Sequence, residues 1–319
     1  MSVELTYYPK NASERDLDQH LREFEFTRNE DSLVPDSVDY GWFETEDYKS
    51  FVGVEATIFT PETNGPHGDC EVALHTRTRA GASFADRDCQ NRIIRAARKK
   101  FGGSFYNDWN GKNRYIPLDP DRRDTAARGI FISYQVVTER IRAVKYALPD
   151  PTESLERLVG TDLEYLSTID PVRVLYNALV PFAVAALEHF FCQSFKILLK
   201  YDPEAQLKLK EQSRKIEMPQ VIAIRDGAES VEDAVADWYS FQNIASIHKA
   251  FHEWFAIDFW KLLRRRRKIG RRLPMLEKQL NSVIGFRHSV IHRFELDQML
   301  RKDEINEIFD LVLVLIRLR

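Results

Sequence analysis

The hydrophobic period of this chain changes once, at Pro149-Asp-Pro-Thr-Glu-Ser154, and that change decides what the chain can fold into. Before it, short runs alternating apolar and polar residues are interleaved with helical runs. After it, apolar positions recur almost only at helical spacing. Alternation at period two suits a strand with one covered face, and recurrence at three and four suits an amphipathic helix. The two prolines interrupt either pattern, and Thr152 or Ser154 can cap the next helix. The expected fold is an α+β domain over residues 1–148 followed by an all-α helical bundle over 155–319. A chain of 319 residues has the length for both.

In the first part, Val3 to Tyr8 reads as a strand, and Ser13 with an acidic first turn opens a helix carrying Leu17, Leu21 and Phe24. Strands are expected at Tyr40 to Thr45, Phe51 to Thr60 and Cys70 to Arg79. A helix fits Phe84 to Phe101, where Ile93, Ile94, Ala97 and Phe101 recur at helical spacing and Gly102-Gly103 ends the run. Asn110-Gly111 sits between two β-rich segments, a hairpin signal. Gly129 to Val137 reads as a last strand, leading into a helix over Thr138 to Leu148.

In the second part, helices are expected at Leu155 to Leu166, Val172 to Tyr201, Val231 to Ala245, Ile247 to Arg267, Met275 to Phe294 and Lys302 to Leu318. The most apolar runs, Leu179 to Leu187 and Ile308 to Ile316, are far shorter than the roughly 20 residues of a bilayer span. They read as core helices, and no membrane association is expected. Pro181 should kink its helix or mark its start. Cys70, Cys89 and Cys192 are odd in number and lack metal-ligand spacing, which fits buried thiols in a reducing compartment. The first residues have neither the basic start nor the apolar core of a secretory signal, so a cytoplasmic location is expected. A net charge of -3 and a pI of about 6.3 give no global cationic field, so any nucleic-acid site must be a local patch.

Chemistry concentrates in Gly-Phe-Arg-His-Ser-Val-Ile-His-Arg, Gly285 to Arg293, which sets Arg287 and His292 five positions apart. Arginine keeps its charge and grips phosphate with a planar fork of donors, whereas histidine titrates near neutrality. That pairing suits phosphodiester chemistry. Residues five apart on a regular helix point about 140° away from each other. Either Arg287 lies at a helix start loosened by Gly285, or two subunits bring two motifs into one cleft. The ordinary alternative is a pair of surface or cap residues on an amphipathic helix. His288 and His292, at i and i+4, share a face and could ligate a metal. Ser289 stands where a zinc protease has its glutamate and no further ligands accompany the pair, so neither metal nor cofactor is expected.

The Arg-x4-His string in the penultimate helical segment of a helical half, Leu155 to Arg319, resembles the HEPN family, all-helical domains many of which are metal-independent endoribonucleases. The resemblance implies Arg287 and His292 as the catalytic pair, with His288 at a polar position where asparagine or aspartate is more usual. It further implies attack of the RNA's own 2′-hydroxyl on the adjacent phosphorus, leaving a 2′,3′-cyclic phosphate. His292 would be general acid/base, and Arg287 would stabilise charge on the phosphorane. A homodimer through the helical domain, a role as growth-arresting toxin or phage-defence effector, and an antitoxin or regulatory ligand are implied by family habit. The alternative function is a non-catalytic nucleic-acid or nucleotide-binding protein whose HEPN-like half is a dimerisation scaffold. The first domain resembles no named domain, and by analogy of architecture it is a sensor or regulatory module.

Two basic segments complete the set. Lys261, Arg264, Arg265, Arg266, Arg267, Lys268, Arg271 and Arg272 fall in one run without an acidic residue, dense enough to track an RNA backbone by counterion release. The ordinary reading is a helix C-terminus ending at Gly270, its cations complementing the macrodipole. Arg92 and Arg95 with Tyr106 and Trp109 form a second, ligand-binding set able to hold a nucleotide by phosphate contact and stacking. The ordinary reading there is a solvated helix face and a packed hairpin. Asp69, Glu71 and His75 lack the acidic-x-Lys spacing of a metal nuclease. Glu188 and His189 interrupt an apolar helix, either supporting the C-terminal site or forming a satisfied core pair.

Overall fold

A computed structural model describes residues 2–32, 35–61, 70–119, 123–151, 170–269 and 273–317. The helix expected at Leu155 to Leu166 and the basic run's last members, Arg271 and Arg272, lie outside them, as does Asp69. The chain divides into two compact units, Met1–Arg128 and Gly129–Arg319.

The first unit is a seven-stranded, wholly antiparallel sheet in the order β2-β3-β4-β5-β1-β6-β7. Its strands are β1 (Val3–Tyr8), β2 (Thr27–Arg28), β3 (Ser37–Trp42), β4 (Val54–Phe59), β5 (Ala73–Thr78), β6 (Ser104–Asn107) and β7 (Gly111–Lys112). Alternation decides the faces: Leu5, Tyr7, Ala56, Ile58 and Leu74 are buried with Leu17 and Leu21 of α1 (Glu14–Glu23) and Ile93, Ile94 and Ala97 of α2 (Phe84–Phe101). Both helices open on capping boxes, Ser13 with Asp16 and Ser83 with Asp86. Asp86, wholly buried, also accepts the backbone N–H groups of Phe51, Val52 and Gly53 at 3.1–3.2 Å, so one carboxylate pins the entry to β4 to the start of α2. Gln90 of α2 donates to the carbonyls of Val3 and Thr76, which fixes the helix on the sheet. At Gly103, φ is +89° and a Cβ would lie 2.1 Å from the Tyr8 carbonyl oxygen, so only glycine fits this turn.

Among the described residues, the second unit is helical: α3 (Thr125–Ala147), α4 (Pro171–Tyr201), α5 (Pro203–Glu211), α6 (Met218–Arg225), α7 (Val231–Ala236), α8 (Ile244–Phe255), α9 (Phe259–Leu263), α10 (Leu276–His288), a π-helical turn (Ser289–Arg293) and α11 (Lys302–Leu315). α4 is the axis, touching α5, α7, α8, α10, the π turn and α11. Its Phe195 is fully buried among Tyr239, Phe241, Phe251, Trp254 and Phe255, with ring centroids 5.5–6.4 Å away. By length and composition α4 could cross a bilayer, yet Tyr176, Val180, Ala183, Val184 and Leu187 are buried in this core.

The structure corrects several expectations. Gly129 to Val137 is not a strand but part of α3. Ile130, Tyr134, Val137, Ile141, Val144 and Leu148 recur every three or four residues and pack in the helical core, so a helical stripe lies hidden under a β-branched run. α4 runs Pro171–Tyr201, as expected from Val172 onward, with Asp170 its cap and Pro171 in its first turn. Of the two readings of Pro181, the helix start is excluded and the residue lies inside the helix. The helix expected at Ile247 to Arg267 is broken, because Ala256 adopts a left-handed conformation at φ +56° and Asp258 caps a new start.

Candidate functional site

α10 buries Leu276, Leu280 and Val283 and runs unbroken through Gly285 to His288, so Arg287 lies at a helix end and not at a start loosened by glycine. The chain then opens into the π turn, which closes with the N–H of Phe294 donating to the Ser289 carbonyl, five residues back. Phe294 leaves in the left-handed region at φ +54°. A turn closed at i→i+5 takes up more residues than an α turn, so each advances by less than the α-helical 100° or so. The angle between Arg287 and His292 is therefore narrower than in a regular helix. π turns recur at functional sites because they re-aim side chains without ending the helix.

The two faces of this segment differ. Val290 is buried as its anchor, and Arg287 is half-buried, facing α4 closely enough for its charge to act on Glu188. Burial raises the Glu188 pKa, and Arg287 draws it partly back. One carboxylate oxygen of Glu188 is buried with no hydrogen-bond partner. His288 and His292 are both exposed, their ring centroids 4.6 Å apart, flanked by Ile291 and Phe294, the latter 81% exposed. Thus the structure brings His288 and His292 together, while Arg287 acts on Glu188 as a nearby charge, with no hydrogen bond or ion pair between the two among the described residues. Among the described residues no hydrogen bond joins Arg287 to His292. His189 is exposed, and the burial it does have lowers its pKa.

The basic run is not a helix C-terminus. α9 ends at Leu263, and Arg264, Arg265, Arg266, Arg267 and Lys268 are exposed on a turn whose arms are bridged at Arg266 and Met275. Arg267 donates its N–H to Pro274 and Leu276 donates to Arg265 across the turn, while Ile269 is buried beneath it. Lys261 is exposed on α9 itself. Met275, the bridge partner of Arg266, is the N-cap residue of α10, so the cations beside it stand one helix length, about 18 Å at 1.5 Å per residue, from Arg287.

The second set does not form one site. Arg92 pairs with Asp88 at 3.1 Å, and the Arg95 guanidinium covers the Tyr115 ring at 4.9 Å, both arginines being on α2. Tyr106 pairs in register with Thr6 between the buried Phe105 and Asn107, so it points to the sheet face opposite α2. Trp109 is 60% exposed in the turn beyond. On that opposite face lies a cluster that sequence reasoning missed: Glu4 is 3.4 Å from Arg77 and 3.7 Å from His75, whose Nδ1 is 3.1 Å from the Thr6 hydroxyl. Burial and Glu4 raise the pKa of the neighbouring Asp108. Its only signal in the sequence is polar alternation, Glu4 and Thr6 on β1 against His75 and Arg77 on β5. Among the described residues no group of three or more His, Cys, Asp or Glu side chains is placed to hold a metal ion. No family model, curated protein or solved structure matches this chain.

Proposed function

We propose that this protein is a metal-independent endoribonuclease whose helical unit is HEPN-like and whose site is the segment Arg287 to Phe294. The observation that carries the reading is the π turn, which exposes His292 beside His288 while keeping Arg287 on the same short stretch. His292 acts as general acid/base on the 2′-hydroxyl or the leaving 5′-oxygen, and Arg287 offsets the charge that builds on the phosphorane oxygens. The exposed turn of arginines upstream of α10 holds the RNA backbone, and two copies of the chain complete the cleft. Growth arrest or phage defence, controlled by an antitoxin or regulatory ligand, is the setting this activity suits.

The competing reading is a non-catalytic nucleic-acid-binding scaffold, favoured by Arg287 lying against α4 while His292 faces solvent. Incubating the full chain with total RNA and tRNA in excess EDTA, beside His292→Ala, separates the two. Cleavage by wild type alone, with 2′,3′-cyclic phosphate ends, is expected, at a loss of about 100-fold or more in the variant. Cleavage that survives His292→Ala, or that EDTA abolishes, overturns the assignment, and binding without cleavage supports the scaffold.

A further inference from the structure

Three polar side chains at the start of α4 are buried where a bundle would ordinarily place apolar ones: Asp170 at 0%, Arg173 at 6% and Asn177 at 1% exposure. Spaced i, i+3 and i+7, they share one helix face. Asp170 caps α4 by accepting the Val172 N–H at 2.9 Å and lies 3.7 Å from the Arg173 guanidinium. Arg173 and Asn177 reach the connector between the π turn and α11, and Asp170 bears on it only through Arg173. Arg173 donates to the Gln298 carbonyl. Asn177 closes both backbone groups of Asp297, donating to its carbonyl at 2.9 Å and accepting its N–H at 2.8 Å, as a neighbouring strand would. The Asp297 carboxylate in turn accepts the Met299 N–H at 2.8 Å, shaping the connector from within.

Burying such groups is costly, the more so because one Asp170 carboxylate oxygen and the Arg173 Nε are buried without a hydrogen-bond partner, and a connector left in water would satisfy Asp297 and Gln298 without them. The arrangement adds a single position for the chain five residues beyond His292. The π turn is held at both ends: by α10 on one side and, through this anchor, by α4 on the other. We infer that Asp170, Arg173 and Asn177 are positioning residues for the proposed site, fixing the π turn and hence the placement of His292. None of them touches the reacting atoms. The inference rests on the nuclease reading for its catalytic consequence and stands apart from it for its structural one.

The test uses the full chain with Asn177→Leu, Arg173→Met and Arg173→Lys, each compared with wild type in RNA cleavage and in the NMR titration of the His288 and His292 imidazoles. Expected for Asn177→Leu and Arg173→Met is a fall of about 10-fold or more in kcat with KM unchanged, and altered imidazole shifts at both histidines. Arg173→Lys, which keeps a donor for the Gln298 carbonyl, should recover most of the rate. A rise in KM alone, or unchanged kcat and unchanged imidazole spectra, overturns the positioning role. Should Asn177→Leu not fold, the methionine and lysine variants of Arg173 decide the matter between them. If wild type cleaves nothing, the nuclease reading fails, and the imidazole spectra alone then judge the anchor: moved in Arg173→Met and restored in Arg173→Lys, it stands; unmoved, it falls.

Discussion

Glu188 shows how one residue reports on its surroundings. Burial raises its pKa and Arg287 only partly reverses this, so the folded chain holds this proton more tightly than the unfolded one. By linkage, stability is full below the ordinary glutamate range and falls as pH rises through the shifted value, because ionised Glu188 is less welcome folded than unfolded. Glu188→Gln should therefore raise stability above neutrality, by at most about 1 kcal/mol because solvent screens a half-buried group, and leave it unchanged well below the glutamate range. Urea unfolding at the two pH extremes measures this, and a loss of stability above neutrality would make Glu188 a net anchor for Arg287. That Glu188 interrupts an apolar face is legible in the sequence. Its nearness to the Arg287 charge is not, since that arises only through the packing of α10 on α4.

Among elements, the basic turn carries the clearest expectation. Each arginine that contacts a phosphate releases a counterion, so removing two should lower the log–log salt slope of RNA binding by about 2 and weaken binding to all sequences alike. Arg265→Glu with Arg266→Glu, followed by cleavage or fluorescence binding over a salt series, gives that slope. A slope equal to wild type removes the turn from the RNA path. The same elements show how far sequence patterning reaches. α2 is readable from end to end because Ser83 and Asp86 form its capping box and Gly102, at φ +68°, stops it. The strand expected at Gly129 to Val137 fails because β-branched residues raise strand propensity locally, while packing obeys the longer helical stripe. The turn at Arg264 to Lys268 reads as helix in the sequence because arginine and lysine are good helix formers, yet Asp258 starts a helix that ends within five residues. Tyr106 groups with the arginines of α2 by nearness in sequence, but the pleat of β6 sends it to the other face.

At the scale of the whole molecule, each unit has its own apolar core, so each has the means to hold its shape independently. The proposed cleft requires a second chain, and exposed Ile291 and Phe294, at 46% and 81%, flank His292 with apolar surface of the kind a two-fold contact covers. Light scattering at micromolar concentration should give twice the 37.3 kDa chain mass, and Ile291→Glu should reduce it to one chain while cutting cleavage at least about 10-fold. A wild-type monomer at that concentration removes the pairing. The widened turn, finally, makes residue number, and not only residue identity, a fragile property of this stretch. Exchanging the side chains at 289 or 291 leaves the backbone path from α10 to Asp297 intact. Losing a single codon there would let the segment rewind into plain α-helix, pull the connector short by one step, and carry Asp297 out of reach of Asn177, although every chemically active side chain would still be encoded.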